Sequence, residues 1–80
     1  MSQVTILYFG RLREDAGTHQ EEVNTAASTI ADLIRERAQT LDFPYKIQSL
    51  RFARNEALCP ADESIHNGDT IAFMPPMAGG

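Results

Sequence analysis

Apolar residues recur along this chain at two spacings, one suited to strands and one to a helix. In Gln3-Val4-Thr5-Ile6-Leu7-Tyr8-Phe9 both alternating sets, Val4/Ile6/Tyr8 and Thr5/Leu7/Phe9, are largely apolar. A β-branched and aromatic run stopped by Gly10 predicts a strand. Apolar character on both sides predicts a central strand, covered on one face and partly hidden on the other. The polar stretch Arg11 to Thr18, closed by Gly17, predicts a short helical turn or a wide hairpin loop. His19 to Thr25 then predicts a second, more exposed strand, antiparallel to the first, with Val23 its best inward residue.

Helical spacing begins at Ile30. Ile30, Leu33, Ile34, Ala38 and Leu41 form one apolar stripe, with Arg35, Glu36, Arg37 and Gln39 mostly outside it. Thr29 is a good N-cap, and Asp32 is the capping-box acid three residues later. A helix over 30–41 follows, and Pro44 forbids its extension. Leu50 to Arg54 alternates as a strand. Asn55-Glu56 forms its tight turn, with Asn accepting positive φ, and Ala57-Leu58-Cys59 returns as a short strand stopped by Pro60. Ser64 to Asp69 is turn chemistry with Gly68 at a positive φ, and Thr70 to Met74 is the final strand.

The predicted order is β, β, α, β, β, β, an α+β arrangement of one main helix on a mixed sheet of four to five strands. The first and last strands are the most apolar, which places them side by side at the centre. A hairpin, a crossover helix and a return beside the first strand is the β-grasp topology. Residues 1–74 form the domain and 75–80 a flexible tail.

Composition narrows the function. Eighty residues, 42% hydrophobic and 22% charged, make one domain with a small core rather than a disordered chain. A net charge of −4 without a basic cluster argues against nucleic acid and suits a basic partner. The single cysteine, Cys59, allows no internal disulfide and fits a reducing cytosol. No run is long and apolar enough for a signal or membrane segment. His19 and His66 lie far apart, so no metal site is expected. Cys59 reads as a small hydrophobe rather than a nucleophile. No triad spacing, phosphate loop or dinucleotide fingerprint occurs. Glu14-Asp15 and Glu21-Glu22 read as solvated loop acids. The chain lacks the parts of a self-sufficient enzyme.

The last six residues, Pro75-Pro76-Met77-Ala78-Gly79-Gly80, carry the remaining signal. The prolines have no N–H to donate and end sheet pairing. Two glycines then give a thin tip that can enter a narrow channel, since Gly has no Cβ to clash there. A terminal carboxylate is a poor electrophile until ATP converts it to an acyl adenylate, after which a sulfur donor can turn it into a thiocarboxylate. That chemistry needs an unbranched terminus reaching an active site in another chain.

Val4 to Glu14 with Gly17-Thr18, Phe52-Ala53-Arg54-Asn55-Glu56, and above all Asn67-Gly68-Asp69 through Phe73-Met74-Pro75-Pro76 to Gly79-Gly80 resemble the small subunits of molybdopterin synthase. These are β-grasp, ubiquitin-like sulfur carriers, and the likeness covers nearly the whole chain. The resemblance implies that Gly80, preceded by Gly79, is adenylated by an E1-like enzyme and then thiocarboxylated with sulfur from a donor protein. ATP is used by that activating partner, and no cofactor is held stably. The large synthase subunit would accept the tail and supply the basic catalytic residues, and sulfur would pass to precursor Z. The partner-binding set implied is Leu58, Phe73, Met74, Pro75, Pro76, Met77 and Ala78. Met74 stands where many relatives carry a second aromatic, and Met is an adaptable interface residue. The alternatives are a β-grasp carrier for thiamine, cysteine or tungsten-cofactor synthesis, a protein modifier joined to lysines, or a plain interaction module.

Overall fold

The computed structural model describes residues 1–40 and 49–75. Strand β1 (Ser2–Tyr8) leads through helix α1 (Arg11–Ala16) into β2 (Gln20–Thr25). Helix α2 (Ile30–Thr40) crosses to β3 (Arg51–Arg54), β4 (Ala57–Cys59) and β5 (Thr70–Met74). The five strands lie in the order β2-β1-β5-β3-β4. β5 runs parallel to β1, with Ile6 opposite Ile71 and Tyr8 opposite Phe73. The other pairings are antiparallel. The two most apolar strands are therefore neighbours at the sheet centre, as their patterns predict. Of the two forms open to the polar stretch after β1, the chain takes the helical one. Gly17, at φ 75°, closes α1 by donating its N–H to the Arg13 and Glu14 carbonyls, the left-handed cap that Gly adopts without a Cβ penalty. No helix among the described residues is long and apolar enough to cross a membrane.

The core lies between the sheet and α2. Val4, Ile6 and Tyr8 of β1, Leu12 of α1, Ile30, Leu33 and Ile34 of α2, and Phe52, Ile65, Ile71 and Phe73 form one buried cluster. Phe73 sits at its middle, with the Tyr8 and Phe52 rings both 5.8 Å away in edge-to-face contact. Thr29 caps α2 by accepting the Asp32 N–H. Asp32 itself pairs with Arg35. The next orphan N–H groups of the helix, those of Ile30 and Ala31, donate to the carbonyls of Glu63 and Ala61, which ties the start of α2 to the loop after β4.

Two expectations need correction here. Ala38 is exposed rather than part of the buried stripe. The later turns of α2 lie over β2, whose inward side carries Glu21, Val23 and Thr25, so the helix meets it with polar partners. Arg37 donates to both oxygens of Glu21 at 3.1 and 3.0 Å, and Thr25 donates to Glu36. Glu21 is accordingly not a solvated loop acid; it is a half-buried strand residue that also accepts the Tyr8 hydroxyl at 2.6 Å. Leu41 and Pro44 lie outside the described residues.

A polar knot positions β5. The Asp69 carboxylate, 8% exposed, accepts from the His66 N–H at 2.8 Å and the Asn55 side-chain amide at 3.0 Å, and pairs with Arg54 at 3.5 Å. Asn55 in turn accepts the Thr70 N–H through its side chain and donates its own N–H to the Thr70 carbonyl. Burial works to raise the Asp69 carboxyl, but the Asn55 and His66 hydrogen bonds and the Arg54 charge outweigh it and hold it below the usual carboxylate range. A group with a depressed folded-state value stabilises above its unfolded value, near pH 4, and loses that contribution as pH falls through the folded one. Asp69→Ala should cost about 2 kcal/mol, because it leaves charged and neutral donors without an acceptor. Urea unfolding across pH 2.5 to 7 should show a smaller acid-side loss in the variant than in the parent.

Candidate functional site: the open sheet face and the exit of the chain

Alternation along β5 sends Ile71 and Phe73 into the core and Thr70, Ala72 and Met74 to the opposite face of the sheet. On that face Leu7, Ala72, Ala53 and Leu58 are successive cross-strand neighbours. Together with Phe9, Met74, Thr70 and Glu56 they line a groove of about 290 Å³. Leu58 is 74% exposed and Phe9 40%. Helix α2 covers the other side of the sheet, so among the described residues this face has no covering element. An uncovered apolar face of this kind is a candidate interaction surface.

The same face leads to the exit of the chain. The Phe9 N–H donates to the Phe73 carbonyl at 3.1 Å, the strand ends at Met74, and Pro75 follows with no N–H to continue the ladder. Gly10 lies directly against Pro75. It has φ 58°, and a Cβ there would stand 2.8 Å from Pro75 Cγ. The bend between β1 and α1 therefore depends on glycine twice, for its dihedral and for the close approach. Pro75, the last described residue, is thereby held against this bend.

The expected site residues divide as follows. Leu58 and Met74 share the open face, and Pro75 stands at its end. Phe73 does not belong to a contact surface, because its side chain is fully enclosed; the strand's alternation turns it toward α2. Pro76, Met77, Ala78, Gly79 and Gly80 lie outside the described residues. Leu7, Phe9, Ala53, Ala72, Gly10 and Glu56 are additions from the structure. The doubly apolar pattern of β1 was the signal for Leu7 and Phe9. Cys59 is half-buried at the β4 edge. Its thiol is pushed up by burial and then by the Glu63 charge, the reverse of what a nucleophile needs. Among the described residues no three His, Cys, Asp or Glu side chains gather as a metal-binding group.

A hairpin, a crossover helix and a parallel return strand beside the first define the β-grasp fold of ubiquitin-like proteins, here with an apolar sheet face beside the departing C-terminal segment. The model of the ThiS family matches residues 6–80, and the chain belongs to that family. It is 32% identical over 85 residues to the molybdopterin synthase sulfur carrier subunit of Mycobacterium tuberculosis, covering 100% of both chains. The fold superimposes on small archaeal modifier protein 1 of Haloferax volcanii with a TM-score of 0.79 at 20% identity, covering 96% of this chain and 100% of that one. It also matches a chain in the complex of subunits 1 and 2 of the molybdopterin-converting factor of Helicobacter pylori, with a TM-score of 0.67 at 19% identity over 98% and 99% of the two chains.

Proposed function

We propose that this protein is the sulfur carrier subunit of molybdopterin synthase, acting in the cytosol. In this reading residues 1–74 are the domain and 75–80 the tail, with Pro75 held against Gly10 at its base. The Gly80 carboxylate attacks the α-phosphate of ATP in an E1-like partner, releasing pyrophosphate and forming an acyl adenylate. Sulfur carried by a donor protein as a persulfide then displaces AMP to give an acyl disulfide. A thiol that attacks this disulfide releases the thiocarboxylate and leaves the donor as a disulfide. The large synthase subunit seats on the open sheet face, receives the tail, and directs its sulfur to precursor Z. Gly79 and Gly80 keep the tip thin enough to enter. Leu58 and Met74 supply apolar contact, and Pro75 with Pro76 sets the line of approach.

The observation that carries this reading is the coincidence of two features on one strand. β5 contributes Ala72 and Met74 to the apolar groove and ends where the chain departs at Pro75. A partner docked on the groove is thereby beside the origin of the tail. Full-length similarity to a sulfur carrier subunit and the fold shared with a chain of the Helicobacter pylori complex support the same assignment. The fold alone would equally suit a protein modifier, so the chemical state of Gly80 decides. Intact mass spectrometry of protein isolated from its native cell should show one oxygen replaced by sulfur. The thiocarboxylated form, mixed with the large subunit, should convert precursor Z, and the carboxylate form should not. Isopeptide-linked adducts in place of the sulfur form would overturn the assignment, as would delivery of sulfur to a thiazole precursor.

A further inference from the structure

The turn joining β3 to β4 holds both its central residues at positive φ, Asn55 at 52° and Glu56 at 73°. This is the type I′ pattern, whose second position is ordinarily glycine. Asn55 suits its place and is anchored there by Asp69 and Thr70. Glu56 has no such compensation. Its backbone sits in a region that side chains disfavour, and among the described residues its carboxylate enters no hydrogen bond or ion pair. The side chain is exposed and lines the apolar groove beside Leu58.

The surrounding charges give the face a polarity. Arg51 is exposed and stands opposite Met74, at the end from which the chain departs. Glu56 lies at the other end of the same hairpin. Glu22, also exposed, is cross-strand from Thr5 on the far side. An unpaired acid beside an apolar patch adds little to the stability of the isolated domain. It adds more when a partner brings a cation to it and excludes water around the pair.

We propose that Glu56 is a recognition residue, held in a strained turn so that its carboxylate meets a Lys or Arg set beside the apolar patch of the docking partner. The inference rests on the open face being the docking surface for the large synthase subunit. It adds that subunit's surface chemistry, an apolar patch with a cation at the rim away from the tail. With Arg51 at the opposite end, the pair would fix which way round the partner sits, and so where the tail is aimed.

Four variants of the full chain test it, titrated calorimetrically against the large subunit at low and high salt, with melting temperatures measured alongside. Glu56→Gly relieves the turn and should melt about 3 °C higher, yet bind more weakly. Glu56→Gln keeps the strained turn and loses only the charge; binding should fall about threefold at low salt, with a flatter salt dependence. Glu56→Lys should weaken binding by about tenfold or more through like-charge contact. Leu58→Asp should abolish binding at any salt concentration. Wild-type binding by all three Glu56 variants, with binding lost in Leu58→Asp, would overturn the role of Glu56 and leave the docking face standing. Wild-type binding by Leu58→Asp would remove the docking face, and the role of Glu56 with it.

Discussion

Phe73→Ala is expected to lower the melting temperature by roughly 15 °C or more, which corresponds to about 3–5 kcal/mol in a domain of this size. The ring is fully enclosed and touches two other aromatic rings edge-on, Tyr8 from β1 and Phe52 from β3. Its removal leaves a cavity that no neighbour fills without movement, because the three rings belong to strands fixed by their ladders. A small domain holds only about 5–15 kcal/mol in total, so the variant should be partly unfolded near body temperature. Thermal unfolding followed by circular dichroism measures this directly. A melting temperature within about 2 °C of the parent would show that the ring does not hold the core. Leu58→Asp provides the contrast: an exposed side chain on the open face should change stability by no more than about 0.5 kcal/mol.

The opposite placements of Phe73 and Met74, adjacent residues in one strand, show where sequence reading reaches and where it stops. That Thr70 to Met74 forms a central strand beside β1 follows from apolar content and connection rules. Which residues of Ile71-Ala72-Phe73-Met74 face the helix does not follow, because both phases of the alternation are apolar. The packing of α2 against the Ile71 and Phe73 side settles it. The same limit applies to Glu21, which reads as a solvent-facing acid within a polar stretch. Its partners Tyr8 and Arg37 are 13 and 16 residues away, and only the tertiary fold brings them to it. The stripe Ile30, Leu33, Ile34 is legible because those residues face a uniformly apolar sheet centre. Ala38 is misread because the helix has by then passed over the polar inner side of β2. Gly10 against Pro75 joins positions at opposite ends of the chain, and no local pattern connects them. The reading of Pro76 to Gly80 rests on residue type alone, on missing side chains and missing N–H groups, and those residues lie outside the described ones.

Deleting Gly80 is expected to abolish sulfur transfer to precursor Z while leaving the melting temperature unchanged. The variant still ends in a glycine carboxylate, that of Gly79, so a reactive group is present; what it lacks is reach. One residue of extended chain spans about 3.3–3.6 Å, and displacement of a reacting atom by as little as about 1 Å can cost a hundredfold in rate. Adding one residue after Gly80 should be as damaging for a different reason, since it puts an amide where the adenylating partner requires a carboxylate. Among the described residues the core cluster ends at Phe73 and the last strand at Met74, and both changes lie beyond these positions in the sequence. Pyrophosphate release by the activating partner separates loss of adenylation from loss of delivery. Transfer at the parental rate by the shortened chain would sink the proposal that the acyl group of Gly80 carries the sulfur. A fall in melting temperature would show instead that the last residue is bound into the body of the domain.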